Sequence, residues 1–167
     1  YMNIHSSENK QPTANSQQPE LKYCYKYPHP AVTADCVIFG FDESNKMKVL
    51  LIQRGNDPYK GKWAFPGGFM EIDETAEQCA HRELEEETGL KDVDIEQFYT
   101  FTDVKRDPRE RVITVAHYAL VKLSEVKGGD DADDAQWFSL DELPPLAFDH
   151  EEILNKALQT LKEKKKL

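Results

Sequence analysis

The sequence predicts an α+β fold, a three-layer sandwich in which two helices flank a mixed β-sheet. Three observations support it. The apolar runs follow one another as strands, one helix, strands, one helix, without the steady alternation of a doubly wound fold. Each helical segment opens on residues with capping spacing. The 167 residues suit one domain with a sizeable core and leave no length for a second full domain.

Residues 1–22 are rich in Ser, Asn, Gln and Pro with few apolar side chains, too little to offset the entropy of ordering. They read as a disordered tail ahead of a single domain at 23–167. In that domain AVTADCVIFGF (31–41) and MKVLLIQR (47–54) are apolar, β-branched runs joined by the polar DESNK, the pattern of an antiparallel hairpin. KWAF (62–65) is a short strand that Pro66-Gly67-Gly68 ends. A helix covers 75–88: Thr75 and Gln78 are spaced as a capping box, and Gly89 stands as the C-terminal stop. DIEQFYTFTDV (94–104) and RVITVAHYALVKL (111–123) are strands separated by the polar loop KRDPRE. The acidic GGDDADDA (128–135) is a loop and QWF (136–138) a short strand. The last helix starts near His150, with Asp149 and Glu152 at N-cap and N3 spacing and Ile153, Leu154, Ala157, Leu158 and Leu161 as its apolar stripe. Its closing KEKKK complements the helix dipole.

A net charge of −10 and a pI near 5.0 argue against a partner held through phosphate charge alone, such as nucleic acid or an anionic membrane. A phosphate-bearing ligand would then need a cation between itself and the protein. Cys24, Cys36 and Cys79 are too far apart for a CxxC metal site and odd in number, which suits a reducing cytoplasm. No apolar run approaches the roughly 18 residues that span a bilayer, and no leader-like pattern opens the chain.

The chemistry concentrates in GGFMEIDETAEQCAHRELEEETGL (67–90). At about 100° per residue, Glu83, Glu86 and Glu87 share one sector of the helix, being i, i+3 and i+4 to one another, whereas Glu85 falls beside Gln78 and faces water. Ala76, Ala80 and Leu84 flank the converging sector and seat the helix on the sheet. Charge runs are usually solvated faces. Carboxylates that converge, however, repel unless cations neutralise them, and Mg²⁺ or Mn²⁺ prefers such oxygen ligands.

Gly68, Glu74, Arg82-Glu83-Leu84, Glu86-Glu87 and Gly89-Leu90 meet every fixed position of the Nudix box, and the chain resembles the Nudix hydrolase family over roughly residues 30–160. The resemblance implies an α/β/α sandwich around a mixed sheet and Mg²⁺-dependent hydrolysis of a nucleoside diphosphate linked to another moiety. It implies further that Glu83, Glu86 and Glu87 hold the metal, supported by the Gly68 carbonyl and Glu74, with Glu83 and Glu86 carrying the catalysis. Arg82 would orient Glu83 or Glu86 through a charge-assisted bond. Family members often take the general base from a loop outside the box, for which Glu110, Asp131 and Asp134 are candidates.

DVKRDPRER (103–111), VITVAHYAL and LAFDH resemble the branch containing ADP-ribose pyrophosphatases and regulators of NAD metabolism. Val104 stands where a proline helps mark ADP-ribose hydrolases, and Glu110 replaces a usual glycine. Arg54, Arg106 and Arg109 are candidates for phosphate or ribose contacts, since guanidinium forks match those oxygens; surface charge is their other reading. Tyr59 and Phe101 could stack on a base or pack in the core. His117 and His150 read as packing or hydrogen-bonding residues rather than ligands, and Trp63 and Trp137 as packing.

Three functions follow in order: a pyrophosphohydrolase of ADP-ribose or a related nucleotide sugar; a housecleaning enzyme for oxidised nucleoside triphosphates; and a ligand-sensing module without catalysis. Products separate the first two, two monophosphates against a monophosphate plus pyrophosphate. The complete box favours catalysis over sensing, as does the lack of room for a DNA-binding domain before Leu167. The expected partner is a small nucleotide, with neither nucleic acid nor membrane, and a homodimer is a family expectation.

Overall fold

The computed structural model describes residues 23–124, 126, 128 and 132–164. The tail expected at 1–22 lies outside them. The described elements run β1 (Ala31–Phe41), β2 (Met47–Arg54), β3 (Trp63–Ala64), β4 (Gly67–Phe69), α1 (Ala76–Thr88), β5 (Glu96–Phe101), β6 (Val112–Lys122), β7 (Ala132–Ser139) and α2 (His150–Glu163).

β1 is central to the sheet, whose main path is β3-β2-β1-β6-β5. It runs parallel to β6 from Ala31↔Val112 to Phe41↔Lys122 and antiparallel to β2 at Phe39↔Val49, so the sheet is mixed, as expected. Its unbroken apolar run is explained by cover on both sides, because successive strand residues point to opposite faces. Val37 and Phe39 enter a core with Ile153, Leu154, Ala157 and Leu161 of α2. Ala34, Cys36 and Ile38 enter a second core with Cys79, Ala80 and Leu84 of α1. One helix on each face makes the three-layer sandwich.

The predicted hairpin holds only at one end. Beyond Phe39↔Val49, β2 leaves β1 and pairs with β3 at Ile52↔Ala64, with β7 its partner from Lys48↔Ser139 to Arg54↔Ala132, and β1 takes β4 through Asp35↔Gly67 and Thr33↔Phe69. Asp35 of β1 and Arg54 of β2, on the two strands that diverge here, line the same cleft.

Two segments and one cap correct the sequence reading. The Gly67-Gly68 segment expected to end a strand is itself part of one, because pairing with β1 supplies its ladder bonds. β7 begins inside the acidic stretch expected to be a loop, since pairing with β2 sets strand content there and the Asp134 carboxylate accepts from the Ala135 N–H at 2.8 Å. Asp149 stands at the N-cap of α2 but makes no side-chain capping bond, its carboxylate being taken by Arg106.

Candidate active site

Helix α1 forms as its sequence demands. The Thr75 hydroxyl accepts from the Gln78 N–H at 3.1 Å, the Gln78 side chain accepts from the Thr75 N–H at 2.8 Å, and Gly89 ends the helix at φ 77°, a left-handed conformation glycine adopts without strain. With Cys79, Ala80, Leu84 and Thr88 buried, rotation of the helix is fixed, and its glutamates separate by environment. Glu85 is exposed and pairs with Lys91 at 2.7 Å, as expected of a solvent residue. Glu87 is buried, Glu83 nearly so, and Glu86 has 41% of its side chain exposed.

Arg82 organises this cluster. Its Nε and Nη2 grip both oxygens of Glu74 at 3.0 and 2.6 Å, and Nη1 donates to Glu83 at 2.6 Å and Glu86 at 3.3 Å. Nη2 also donates to the Phe69 carbonyl at 3.1 Å. The guanidinium holds the Glu74 carboxyl down at about 2. Glu74 is thus the fork that steadies Arg82, and Arg82 in turn orients Glu83 and Glu86.

Gly67 and Gly68 allow the strand to meet this helix face. A Cβ on Gly68 would lie 2.4 Å from Glu83 Oε1, and one on Gly67 would lie 2.4 Å from both the Ala34 carbonyl and Asp35 Oδ1. The Gly67 N–H donates to Glu87. Even so, Glu87 Oε2 is buried without a hydrogen-bond partner. Burial, then Glu83 and Asp35, push the Glu87 carboxyl up to about 9.

Glu83, Glu87, Gly67 and Gly68 open onto a cleft of ≈ 340 Å³, closed elsewhere by Arg54, Arg109, Phe69, Phe148, Asp35 and His150 among others. No three His, Cys, Asp or Glu side chains among the described residues already form an ion cage, as Arg82 is bonded to Glu83 and Glu86. An orphaned carboxylate oxygen beside a second carboxylate nevertheless fits a hard divalent cation, since Mg²⁺ binds through one or two carboxylates and keeps several waters.

The three arginines singled out in the sequence part company. Arg106 lines the cleft but is buried and bound to Asp149 by two bonds, so its guanidinium is a structural tie. Arg109 forms the same fork with Asp107, at 3.0 and 2.7 Å, while its face lies over Phe69. Arg54 donates through Nε to the Pro58 carbonyl at 2.8 Å and lies over Phe148; among the described residues no carboxylate pairs with it. Burial, then Arg109, lower its pKa, against the through-space pull of Glu87, Asp107 and Asp35.

Neither of the two described candidate bases lines the cleft. Glu110 is exposed in its loop, Asp134 bonds to Ala135 and Gln136, and Asp131 lies outside the described residues. Glu86 and Glu74 are likewise absent from the lining and adjoin it through Arg82. Sequence reasoning missed Asp35, Asp107 and Phe148 altogether. His150 packs on Phe65, as its sequence context predicts, but it also borders the cleft, and its Nδ1 accepts from the Phe65 N–H at 3.0 Å. Tyr59 packs edge-on to Phe148 and Phe101 against Phe98 and Tyr99, and neither Tyr59 nor Phe101 lines the cleft.

The family model of the NUDIX domain matches residues 29–159. The chain belongs to the Nudix family. This Nudix domain is 44% identical over 135 residues to the ADP-ribose pyrophosphatase of Methanocaldococcus jannaschii, covering 81% of this chain and 77% of that protein. It is 37% identical to the ADPR responsive transcriptional repressor NtrR of Acinetobacter baylyi, covering 83% of this chain and 57% of the repressor. Its backbone is similar to the NUDIX domain of Shewanella oneidensis NrtR complexed with ADP ribose, with TM-score 0.77 and 34% identity over 84% of this chain and 94% of that one. A MutT/nudix family protein from Enterococcus faecalis superposes with TM-score 0.79 at 33% identity, over 85% of this chain and 66% of that one. As a Nudix hydrolase the protein acts on diphosphate bonds. No helix among the described residues is long and apolar enough to cross a membrane.

Proposed function

We propose that this Nudix hydrolase cleaves the diphosphate of ADP-ribose or a related nucleotide sugar into two monophosphates, using Mg²⁺, with Mn²⁺ as a substitute. The observation that carries the reading is one cleft lined by Glu83 and Glu87, the latter with a buried unpartnered oxygen, together with Arg54, which no carboxylate bonds among the described residues. An anionic diphosphate bound through a cation satisfies both. The likeness to an ADP-ribose pyrophosphatase and to an ADP-ribose complex supports the choice of substrate.

Glu83, Glu87 and the Gly68 carbonyl would hold the metal, with Glu86 reaching it from the rim. A divalent cation bound there would neutralise phosphoryl oxygens and activate a water. The chain's own residues do the rest. Arg54 binds the phosphate remote from the glutamates as a guanidinium fork. Arg82 keeps Glu83 and Glu86 oriented, so no reorganisation is needed when substrate enters. Phe65, Phe69 and Phe148 line the cleft with apolar surface and limit water. In this reading the protein is cytoplasmic, has no nucleic-acid or membrane partner, and forms a homodimer that sedimentation equilibrium would detect.

The test is a hydrolysis panel of ADP-ribose, other nucleotide sugars, dinucleotides and oxidised deoxynucleoside triphosphates with Mg²⁺ or Mn²⁺, products identified. AMP plus ribose 5-phosphate from ADP-ribose supports the reading. Release of pyrophosphate from the triphosphates alone would replace it with the housecleaning activity. Binding of ADP-ribose without turnover would make the domain a sensor.

A further inference from the structure

Phe69 directly follows the glycine pair of the cleft and, at 39% exposure, is the most open aromatic ring lining it. Phe65 is buried and Phe148 partly so. The Arg109 guanidinium lies 4.9 Å from the Phe69 centroid and 5.4 Å from that of Phe148, and Arg54 lies 4.8 Å from Phe148. Phe69, Arg109, Phe148 and Arg54 therefore make one continuous chain of ring–guanidinium contacts along the cleft.

The two arginines in that chain are not equivalent. Arg109 is held by two bonds to Asp107, which itself is buried, so its charge is compensated and its Nε and Nη2 are engaged. Its planar face lies over Phe69 and Phe148. A compensated guanidinium braced on an exposed ring is poorly suited to gripping phosphate. It does fix the ring's orientation before any ligand arrives, which lowers the entropy lost on binding. An aromatic face so held, next to the glycines of the glutamate cluster, suits a planar π-system attached to the diphosphate.

We propose that Phe69, braced by Arg109, is the platform on which the substrate's nucleobase stacks. Selection for a base-bearing diphosphate over a diphosphate of sugars alone then comes from this pair, and Arg54 is left for the phosphate. The proposal rests on the nucleotide reading of the cleft given above.

The test uses the full chain as wild type, Phe69→Leu and Phe69→Trp. AMP and ribose 5-phosphate are titrated calorimetrically, and ADP-ribose turnover is measured in Mg²⁺. Phe69→Leu should weaken AMP about tenfold or more, the scale of one base–aromatic stack, while ribose 5-phosphate changes less than about twofold. KM for ADP-ribose should rise by a similar factor with kcat changed little, because the base is remote from the reacting bond. In Phe69→Trp, AMP should quench the added indole emission and ribose 5-phosphate should not, a readout independent of both turnover and the folding of the leucine variant. Unaltered AMP affinity in Phe69→Leu, an indole indifferent to AMP, or no AMP binding by the wild type would each overturn the platform. Should the wild type leave ADP-ribose intact, the substrate reading fails, while the AMP and fluorescence arms still decide the platform.

Discussion

Arg106 and Asp149 lock the loop before β6 to the start of α2 across 43 residues of sequence, Nε donating to Oδ2 at 2.8 Å and Nη2 to Oδ1 at 2.7 Å. Both side chains are buried, at 4% and 12% exposure, so removing one partner strands the other's charge. Asp149→Ala should destabilise the fold by about 3 kcal/mol, the scale for breaking a buried pair. Denaturant midpoints measure it. A variant of unchanged stability but weakened substrate binding would return Arg106 to the role of substrate contact.

Glu87 trades stability for function. Burial holds its folded carboxyl up at about 9 against an ordinary 4.5, so its contribution to the stability of the metal-free protein is fully present below 4.5 and is lost as pH rises toward 9. At about 1.4 kcal/mol per pH unit, the loss by pH 7 is on the order of 3 kcal/mol. Glu87→Gln should therefore melt higher than wild type in EDTA at pH 8 and show no Mg²⁺-dependent hydrolysis. Thermal melts with and without EDTA, beside the hydrolysis assay, check both halves. Wild-type turnover in the variant would remove Glu87 from the metal site.

The two adjacent glycines should fail differently. In Gly68→Ala the new Cβ meets the end of the Glu83 side chain, which can move, so the fold survives and activity falls about tenfold or more, as when support of a metal ligand is disturbed. In Gly67→Ala it meets the Ala34 carbonyl and the Asp35 backbone, which cannot give way cheaply. A loss of about 1–3 kcal/mol of stability is expected there. Paired melting and activity measurements distinguish the two, and equal stability of both variants would contradict the packing described.

His150 sets a dependence of the opposite sign. Burial lowers its pKa from the ordinary 6.5, and its Nδ1 accepts the Phe65 N–H only while unprotonated. Its contribution is present above 6.5 and is lost as pH falls from there through the lower folded value. His150→Asn should cost stability at pH 7.5, and the gap from wild type should narrow by pH 5. Denaturant unfolding of both proteins across that range gives the comparison, and a gap independent of pH would rule the mechanism out.

Helix α1 illustrates what one dimension of sequence can carry. The spacing of Glu83, Glu86 and Glu87, the capping box at Thr75 and the stop at Gly89 all depend on contacts within about one helical turn, so they are legible in the order of residues alone. The same holds for the exposed fate of Glu85. The orientation of Arg82 is legible in part: Glu83 and Glu86 follow from helical spacing, whereas the fork to Glu74 depends on how β4 approaches the helix.

The arginines illustrate the reverse. Arg54, Arg106 and Arg109 look alike in sequence, each a cation within or beside a polar loop. Their roles depend on carboxylates that the fold brings near: Asp149, distant in sequence, takes Arg106; Asp107, turned inward by its loop, takes Arg109; none takes Arg54 among the described residues. Asp35, Phe148 and His150 reach the cleft because β2 parts from β1 and the chain ahead of α2 closes the gap. Local periodicity thus sufficed for the fold class and the acidic helix, whose geometry repeats every few residues. The cleft wall and the division of labour among its cations depend on through-space charge pairing, and only the packed tertiary structure decides that.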